Sequence, residues 1–198
     1  RFDAILSHLS LRTVRAPVIT VVGTNGKGST VAYLESLYIN AGYKVGVYTS
    51  PHLHKFNERI RINGKPVSDD SIVHAFSVLL NVCEHACLSL FDYLTLAALF
   101  IFEQESLDLV ILEAGVGGRL DAVNIVAATG VVVTSIGLDH GSLLGSSREL
   151  IAQEKIAVFR RNCWAVSAVK DAPAVIADYA RSLSVDLYQI NNDSHYHR

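Results

Sequence analysis

The chain lacks the features of a nucleic-acid-binding, membrane-spanning or disulfide-stabilised protein. Its 198 residues carry a formal net charge of only −2, and they include three cysteines, one tryptophan and no methionine. A charge this close to zero provides no basic surface for nucleic acid or an anionic membrane. Three cysteines without framework spacing favour a reducing, cytoplasmic setting. The missing methionine, including an initiator, indicates part of a longer protein.

Long hydrophobic runs are also scarce. The longest mostly apolar run, Tyr93–Phe102, is bounded by Asp92 and Glu103 and is too short to span a bilayer. Half of the residues are apolar, however, so a chain of this length can bury an adequate core without disulfides. A chain of this length fits one domain, or one domain with part of a second.

Short β-branched segments alternate with segments of helical periodicity. This alternation predicts an α/β fold in which a mostly parallel sheet carries helices on both faces. The long connection at 50–70 has no clean periodicity and is expected to be a functional loop. Strands are expected near 18–22, 45–48, 108–112, 131–135, 164–167 and 185–189, and helices at 29–40, 71–87, 92–105, 147–160 and 172–183.

A glycine-rich bend at Gly23–Thr30 connects the first predicted strand to the first helix. Its glycines allow the main chain to approach phosphate oxygens, the helix N-terminus attracts anions, and Lys27 adds a mobile positive charge. We therefore predict a cradle for a polyphosphate. The spacing differs from the common G-x-x-x-x-G-K-[ST] form because Gly28 separates Lys27 from Ser29. The alternative is an ordinary glycine-rich turn.

Polar residues follow three further predicted strands. Ser50, Glu113 and His140 each lie where a strand ends, and ligands collect at the carboxyl ends of parallel strands. Together they form a set of oxygen and imidazole ligands that Mg²⁺ accepts. Considered singly, each has a simpler interpretation as a turn hydroxyl, a capping carboxylate or a loop histidine.

Other conspicuous residues have simpler structural interpretations. Lys155 lies on a predicted helix and is expected at its surface. Arg59 and Arg61 alternate with apolar residues, as on the solvent face of a strand, although they could grip an anionic substrate. Cys83 and Cys87 share one face of a predicted helix while His85 points away, so the three cannot chelate one ion. Both thiols are expected to face the core.

Five motifs occur in order along the chain: TNGKGS at 24–29, YTSPHL at 48–53, NERI at 57–60, EAGVGGRLD at 113–121 and LDH at 138–140. In combination they resemble the folylpolyglutamate synthase / dihydrofolate synthase family of the Mur ligase superfamily, whose members form amides with ATP. The resemblance runs from about residue 18 to 160. It implies a P-loop NTPase-like fold of the Mur ligase central domain type.

The resemblance also implies roles for particular residues. Lys155 corresponds to the lysine that carries a carbamate in the family, which reverses the surface interpretation given above. Lys27, His140 and Lys155 would be catalytic, and Ser50, Glu113 and His140 would bind magnesium. ATP would be bound by Thr24, Asn25, Gly26, Lys27, Gly28 and Ser29, and the pteroate by Ser89, Leu90, Phe91 and Asp92, with Leu120 nearby.

The implied activity is an ADP-forming ligation in folate biosynthesis and one-carbon metabolism. L-Glutamate would be joined to dihydropteroate, to reduced folates or to both, through an acyl phosphate. The resemblance implies a monomer, and residues 1–198 would be an ATP-binding domain incomplete at both ends. With the C-terminal glutamate-binding domain absent, the chain alone is expected to be inactive. The alternatives are a muramyl peptide ligase and a non-catalytic nucleotide-binding module.

Overall fold

The computed structural model describes residues 5–6, 14–83, 87–138 and 145–190. Those residues form eight strands and five α-helices. The strands are β1 (Val18–Val22), β2 (Val45–Tyr48), β3 (Ile60–Ile62), β4 (Lys65–Pro66), β5 (Leu109–Glu113), β6 (Gly130–Val133), β7 (Trp164–Ser167) and β8 (Asp186–Gln189). The helices are α1 (Lys27–Asn40), α2 (Asp69–Val82), α3 (Leu90–Glu103), α4 (Arg148–Ile156) and α5 (Ala174–Ser182).

One sheet contains all eight strands in the order β4-β3-β2-β5-β1-β6-β7-β8. Strands β2, β5, β1, β6, β7 and β8 are parallel, whereas β3 and β4 are antiparallel. The prediction of a mostly parallel α/β sheet is therefore confirmed. Because β1 pairs with both β5 and β6, the ends of these three strands lie side by side.

The β3–β4 hairpin occupies part of the connection that was expected to be a loop. Its two-residue turn is Asn63–Gly64, and both residues have positive φ, 51° and 79°. Asn-Gly is the preferred pair for such a turn because both residues tolerate this conformation. The dipeptide was thus a hairpin signal in the sequence, and the expectation of a continuous loop at 50–70 was wrong.

The two faces of the sheet are covered by different helices. Side chains alternate between faces along a strand, and Ile19 and Val21 of β1 pack on one side together with Val31 of α1. Val18 and Val22 face the other side, where buried residues of α2, α3, α4 and α5 complete the larger core. Helices on both faces are therefore confirmed: among the described helices, α1 covers one face and the other four cover the opposite face.

Helix α2 is shorter than the sequence predicted. It begins after Ser68, whose hydroxyl accepts a hydrogen bond from the Ser71 N–H, and ends at Val82. Cys83 is buried directly after the last turn, as expected. Cys87 lies beyond the helix and is exposed, so the prediction that it faces the core was wrong. The cause is the early end of the helix, which removes the shared face.

Helix α3 accounts for the longest apolar run. Its first turn is closed by a capping box between Ser89 and Asp92, and most of its following residues are buried in the larger core. The run is therefore a core helix. Within the described parts of the chain, no helix has both the length and the hydrophobicity needed to cross a membrane.

Tyr48 connects β2 to α3. Its side chain is fully buried, and its hydroxyl accepts a hydrogen bond from Thr95 Oγ1 at 3.3 Å. Burial of the phenol raises the pKa of Tyr48 to about 12, from an ordinary value of 10.0. The folded protein thus holds this proton over a pH range in which the unfolded chain releases it.

We expect Tyr48→Phe to reduce the loss of stability at alkaline pH. Because the pKa of Tyr48 is raised in the folded state, the stability that its buried, protonated phenol contributes is fully present below pH 10. That stability is lost as the pH rises towards 12. In that window, the free energy of unfolding of the wild type should fall by up to about 1 kcal/mol per pH unit more than that of Tyr48→Phe. Urea unfolding near neutral pH and just above pH 10 measures it. Tyr33→Phe, at an exposed tyrosine, is the control, and equal pH dependence in all three proteins would contradict the prediction.

Candidate functional site

The glycine-rich bend leads directly into the first turn of α1. Gly26 precedes the helix in a left-handed conformation, with φ of 81° and ψ of 3°. No side chain of the described residues caps α1, and its first turn contains no acidic residue. The first N–H groups of a helix lack partners within the helix, and the helix dipole makes this end positive. The start of α1 therefore suits an anion such as phosphate.

The bend is fastened to the segment that follows β6. Thr24 N–H donates to the Ser135 carbonyl and Asn25 N–H to Ser135 Oγ, both at 2.9 Å. In the other direction, Thr134 Oγ1 donates to the Asn25 carbonyl at 2.7 Å. These bonds fix the bend to the end of β6. Thr134 and Ser135 were not among the predicted site residues, although two adjacent hydroxyls after a buried strand are a signal for such a role.

Two lysines converge on one carbonyl oxygen of the bend. Lys27 Nζ donates to the Gly23 carbonyl at 3.1 Å, and Lys155 Nζ donates to the same oxygen at 3.0 Å. Lys155 is only 4% exposed, so its interpretation as a surface lysine was wrong. The helical position suggested exposure, but α4 packs its C-terminal half beneath the bend. The structure thus brings Lys155 into the predicted phosphate site.

Glu113 ends the central strand β5 and faces the start of α1. It is 4% exposed, and its Oε2 accepts a hydrogen bond from Ser50 N–H at 3.2 Å. A Cβ at Gly28 would lie 3.7 Å from Glu113 Oε1, so backbone and carboxylate are close neighbours. Burial raises the pKa of Glu113, whereas the Ser50 N–H and the charges of Lys27 and Arg61 act in the opposite direction. A cation beside this carboxylate would favour its ionised form.

The segment after β2 is organised by Glu58. Its carboxylate accepts hydrogen bonds from the N–H groups of Leu53, His54 and Lys55, which lower the pKa of Glu58. The Ser50–Pro51 peptide bond is cis. Ser50 lies shortly after the end of β2, next to the carboxylate of β5 that accepts its N–H.

One cavity of about 600 Å³ unites these elements. It suits a small-molecule ligand in size and lies at the carboxyl edge of the sheet, where α/β folds bind ligands. It is lined by Gly26, Gly28, Ser29, Ala32, Glu35, Thr49, Ser50, Pro51, Leu53, Glu58, Arg61 and Glu113. Three predicted ATP-binding residues and two predicted metal ligands are thus brought together.

The described residues contain part of a magnesium-type ligand set. The buried Glu113 carboxylate and Ser50 line the same cavity, and such oxygen groups suit Mg²⁺ or Mn²⁺. The third predicted ligand, His140, lies outside the described residues. Among the described residues, no cluster of three or more histidine, cysteine or acidic side chains is placed to hold a metal. The available donors therefore fit a hard cation that retains waters.

Arg59 and Arg61 do not form a solvated strand face. Arg59 Nε donates to His52 Nδ1 at 2.9 Å. Arg61 forms an ion pair with Glu35 of α1, with Nη2 and Oε2 2.7 Å apart, and both side chains are largely shielded from solvent. The interpretation of these arginines as the wet face of a strand was therefore wrong, because α1 packs over the hairpin residue Arg61.

The predicted pteroate residues divide into two groups. In the capping box of α3, the side chain of Ser89 accepts a hydrogen bond from the Asp92 N–H and the side chain of Asp92 accepts one from the Ser89 N–H. Asp92 is buried. Phe91 is half-buried, with its ring centre 5.9 Å from that of Tyr48. Leu90 and Leu120 are exposed. The structure therefore places apolar surface near Phe91, whereas Ser89 and Asp92 shape the helix start.

Asp121 organises the segment after Glu113 and was not among the predicted site residues. Its carboxylate accepts hydrogen bonds from the N–H groups of Gly115, Val116 and Val123 at 2.9–3.0 Å. Burial nevertheless raises the pKa of Asp121. A Cβ at Gly115 would lie 2.9 Å from Phe91 Cζ, so this segment lies directly against α3. The GGRLD pattern itself gave no sign of this bonding.

The chain is similar to curated proteins named dihydrofolate synthase/folylpolyglutamate synthase. No family model matches the chain. It is 48% identical to the dihydrofolate synthase/folylpolyglutamate synthase of Escherichia coli strain K12 over 181 residues, which cover 91% of this chain and 43% of that protein. The chain thus spans less than half the length of these curated relatives.

Solved structures show the same relationship. E. coli FolC in complex with DHPP and ADP superimposes with a TM-score of 0.91 at 44% identity, over 94% of this chain and 45% of that chain. A bifunctional folylpolyglutamate synthase/dihydrofolate synthase with Mn, AMPPNP and L-glutamate bound gives a TM-score of 0.88, also at 44% identity, over 93% and 46% of the two chains. The predicted fold type is therefore confirmed.

We expect Gly23→Ala to destabilise the protein by about 2–4 kcal/mol. Gly23 has φ of 153°, and an added Cβ would overlap the Thr134 hydroxyl and press on Ser135 N. Gly42→Ala is the matched control because Gly42 also has positive φ, 91°, but open space around it. Urea unfolding should therefore show a clearly larger loss for Gly23→Ala. Equal losses would show that the close approach of the two segments is unimportant.

Proposed function

The chain is a homologue of the dihydrofolate synthase/folylpolyglutamate synthase family, and on this basis we propose that it is the ATP-binding part of a carboxylate–amine ligase. The enzyme adds L-glutamate to dihydropteroate, to reduced folates or to both, and forms ADP. The observation that carries this proposal is the single cavity shared by the start of α1, Ser50 and Glu113. We further propose a cytoplasmic, monomeric enzyme of one-carbon metabolism.

The bend and α1 bind the phosphates of ATP. Backbone N–H groups at the start of α1 and the Lys27 ammonium converge on the same region, and both attract negative charge. Within the described part of the chain, Lys27 Nζ donates hydrogen bonds to two carbonyl oxygens of its own bend, those of Gly23 and Thr24. A phosphate oxygen is a stronger, charged acceptor and would replace them.

A divalent metal bound with the nucleotide is the proposed cofactor, and Mg²⁺ is the physiological ion. Ser50, Glu113 and His140 would hold it, with waters completing its ligands. When bound, such an ion supplies positive charge that neutralises the phosphate oxygens. Support for a nucleotide–metal pair comes from the relative that has Mn and AMPPNP bound.

The chemistry consists of two displacements. A carboxylate oxygen of the pteroate or folate attacks the γ-phosphorus of ATP, and the bond to the β,γ-bridging oxygen breaks to release ADP. The glutamate amine then attacks the acyl phosphate, and an amide, inorganic phosphate and a proton result. Lys27 stabilises the negative charge that the transferring phosphoryl group carries.

The pteroate site is proposed along Ser89, Leu90, Phe91, Asp92 and Leu120. Leu90 and Leu120 are exposed and Phe91 offers an aromatic ring, and such apolar side chains suit a flat heterocycle. Ser89 and Asp92 act through the capping box, which fixes the turn that carries Phe91.

Lys155 is proposed to carry a carbamate. Its ammonium and that of Lys27 share the Gly23 carbonyl, so two like charges lie close together, with Lys155 buried and Lys27 half-buried. After losing a proton, the Lys155 amine would add CO₂ and release a second proton, and the resulting carbamate anion would turn this repulsion into attraction. The modified side chain would also become an anion able to bind a second divalent ion.

We expect Lys27→Met to weaken binding of AMPPNP with Mn²⁺ by at least about tenfold, because a charge-assisted phosphate contact contributes roughly 1.5–3 kcal/mol. Titration calorimetry measures the affinity. Lys44→Met is the matched control, since Lys44 pairs with Glu105 in an exposed position. Equal affinities for both variants would contradict the assignment of Lys27.

The same titration separates the alternatives. Preference for a GTP analogue over AMPPNP would favour a nucleotide-binding switch. Glutamate-dependent ADP release by the full-length gene product with dihydropteroate, and none with muramyl substrates, would exclude a muramyl peptide ligase.

We expect native mass spectrometry to find an acid-labile carbamate on Lys155. In the full-length gene product, Lys155→Arg cannot form this group and should lose most of the glutamate-dependent ADP release while retaining AMPPNP binding. A free amine in the native protein, together with full activity of Lys155→Arg, would contradict the assignment.

A further inference from the structure

Arg61 occupies an unusual position for a residue of a short edge hairpin. Its Nε lies 3.1 Å from both carboxylate oxygens of Glu35, and its Nη2 lies 2.7 Å from Oε2. The side chains are 19% and 11% exposed, respectively. Glu35 lies on α1, two turns beyond Gly28. The pair therefore fixes the hairpin to the helix that begins at the phosphate-binding bend.

The remaining N–H groups of Arg61 reach a different part of the site. Nη1 donates to Thr49 Oγ1 at 3.1 Å and to the Glu58 carbonyl at 2.8 Å. Thr49 N–H in turn donates to the Arg59 carbonyl at 2.9 Å. One planar guanidinium thus connects α1, the residue after β2 and the turn before β3. A lysine ammonium has no such fork of fixed donors.

Both ends of this connection lead to the candidate metal and nucleotide site. Thr49 is bonded covalently to Ser50, whose N–H donates to Glu113 Oε2. At the other end, α1 carries Lys27 and Ser29 on its first turn. Arg61, Glu35 and Thr49 also line the cavity that contains Ser50 and Glu113. A hydrogen-bonded path therefore runs from the nucleotide helix to the metal-binding edge.

Fold stability is a weak explanation for this arrangement. Removing two charges from water costs free energy, and apolar residues of similar size often stabilise a site as well as a shielded ion pair does. An arginine fork provides what apolar contacts do not, which is a fixed distance between several polar partners. Such precision matters where ligands of one ion come from separate segments.

We propose that Arg61 is a positioning residue that sets the distance between the phosphate-binding start of α1 and the Ser50–Glu113 edge, so that one metal–nucleotide complex contacts both. Glu35 is its anchor on α1 and Thr49 is its contact with the Ser50 segment. This inference rests on the proposed function, because it assumes a metal–nucleotide ligand. It assigns to Arg61 no contact with the reacting atoms.

Two variants test the proposal on the chain itself. Thr49→Val removes the hydroxyl that accepts from Arg61, together with its longer bond to the Glu58 carbonyl at 3.4 Å, but retains the side-chain shape and leaves the Arg61–Glu35 pair intact. Arg61→Lys retains the charge but loses the fork. Arg181→Lys is the matched control, since Arg181 pairs with Asp178 in an exposed position on α5. For each protein, titration calorimetry gives the AMPPNP dissociation constant with Mn²⁺ and without metal, and thermal unfolding gives Tm.

The ratio of the two dissociation constants reports how far Mn²⁺ strengthens nucleotide binding. In Thr49→Val and Arg61→Lys we expect this ratio to fall roughly fivefold to tenfold, the equivalent of one hydrogen bond. The metal-free affinity should stay within about twofold of wild type, and Thr49→Val should unfold near the wild-type Tm. Arg181→Lys should leave the ratio unchanged. A purely structural role would not change the ratio selectively.

Three results would overturn the inference. The first is a wild-type ratio in both variants. The second is a wild-type ratio in Arg61→Lys together with a lowered ratio in Thr49→Val, since the positive charge alone would then suffice. The third is a proportional loss of Tm and of both affinities. If the wild-type chain shows no Mn²⁺-dependent binding of AMPPNP, the proposed function fails as well, which distinguishes that outcome from failure of the inference alone.

Discussion

The in-register parallel pairing of β1 with β5 and β6 is the constraint on which the rest of the site depends. It places Val21 beside Glu113 and Val22 beside Val133, so the three strands end at one edge. The bend after β1 consequently meets the carboxylate of β5 on one side and Thr134 and Ser135 on the other. Nothing in the bend alone could bring these groups together.

Around this edge the fold buries several charged groups, and each has polar partners. Glu113 accepts the Ser50 N–H, Asp121 accepts three backbone N–H groups, and Lys155 donates to the Gly23 carbonyl. Raised pKa values for both acids show that burial outweighs those bonds. Such groups are costly for stability, and their concentration at one edge of the sheet is typical of a functional site.

The sequence predicted the sheet well because buried parallel strands are apolar throughout and helices alternate with them. It also predicted the bend, Ser50 and Glu113 from their places at strand ends. It was wrong about Arg61, Cys87 and, by local reasoning, Lys155, since the burial of a polar side chain depends on which distant segment packs over it. The β3–β4 hairpin was missed although Asn63–Gly64 signalled it, because the surrounding segment is too short for a clear period.

The sequence by itself determined the order of the strands and helices, the glycine-rich bend that we predict to bind a polyphosphate, and the resemblance to folate ligases. These features depend on residues that are adjacent along the chain. Only the tertiary structure decided which groups share a cavity. Lys155 lies 132 positions from Gly23, and Arg61 lies 26 positions from Glu35, yet each pair is in direct contact. Contacts over such separations follow from strand order and helix packing, which bring together residues that no local pattern connects.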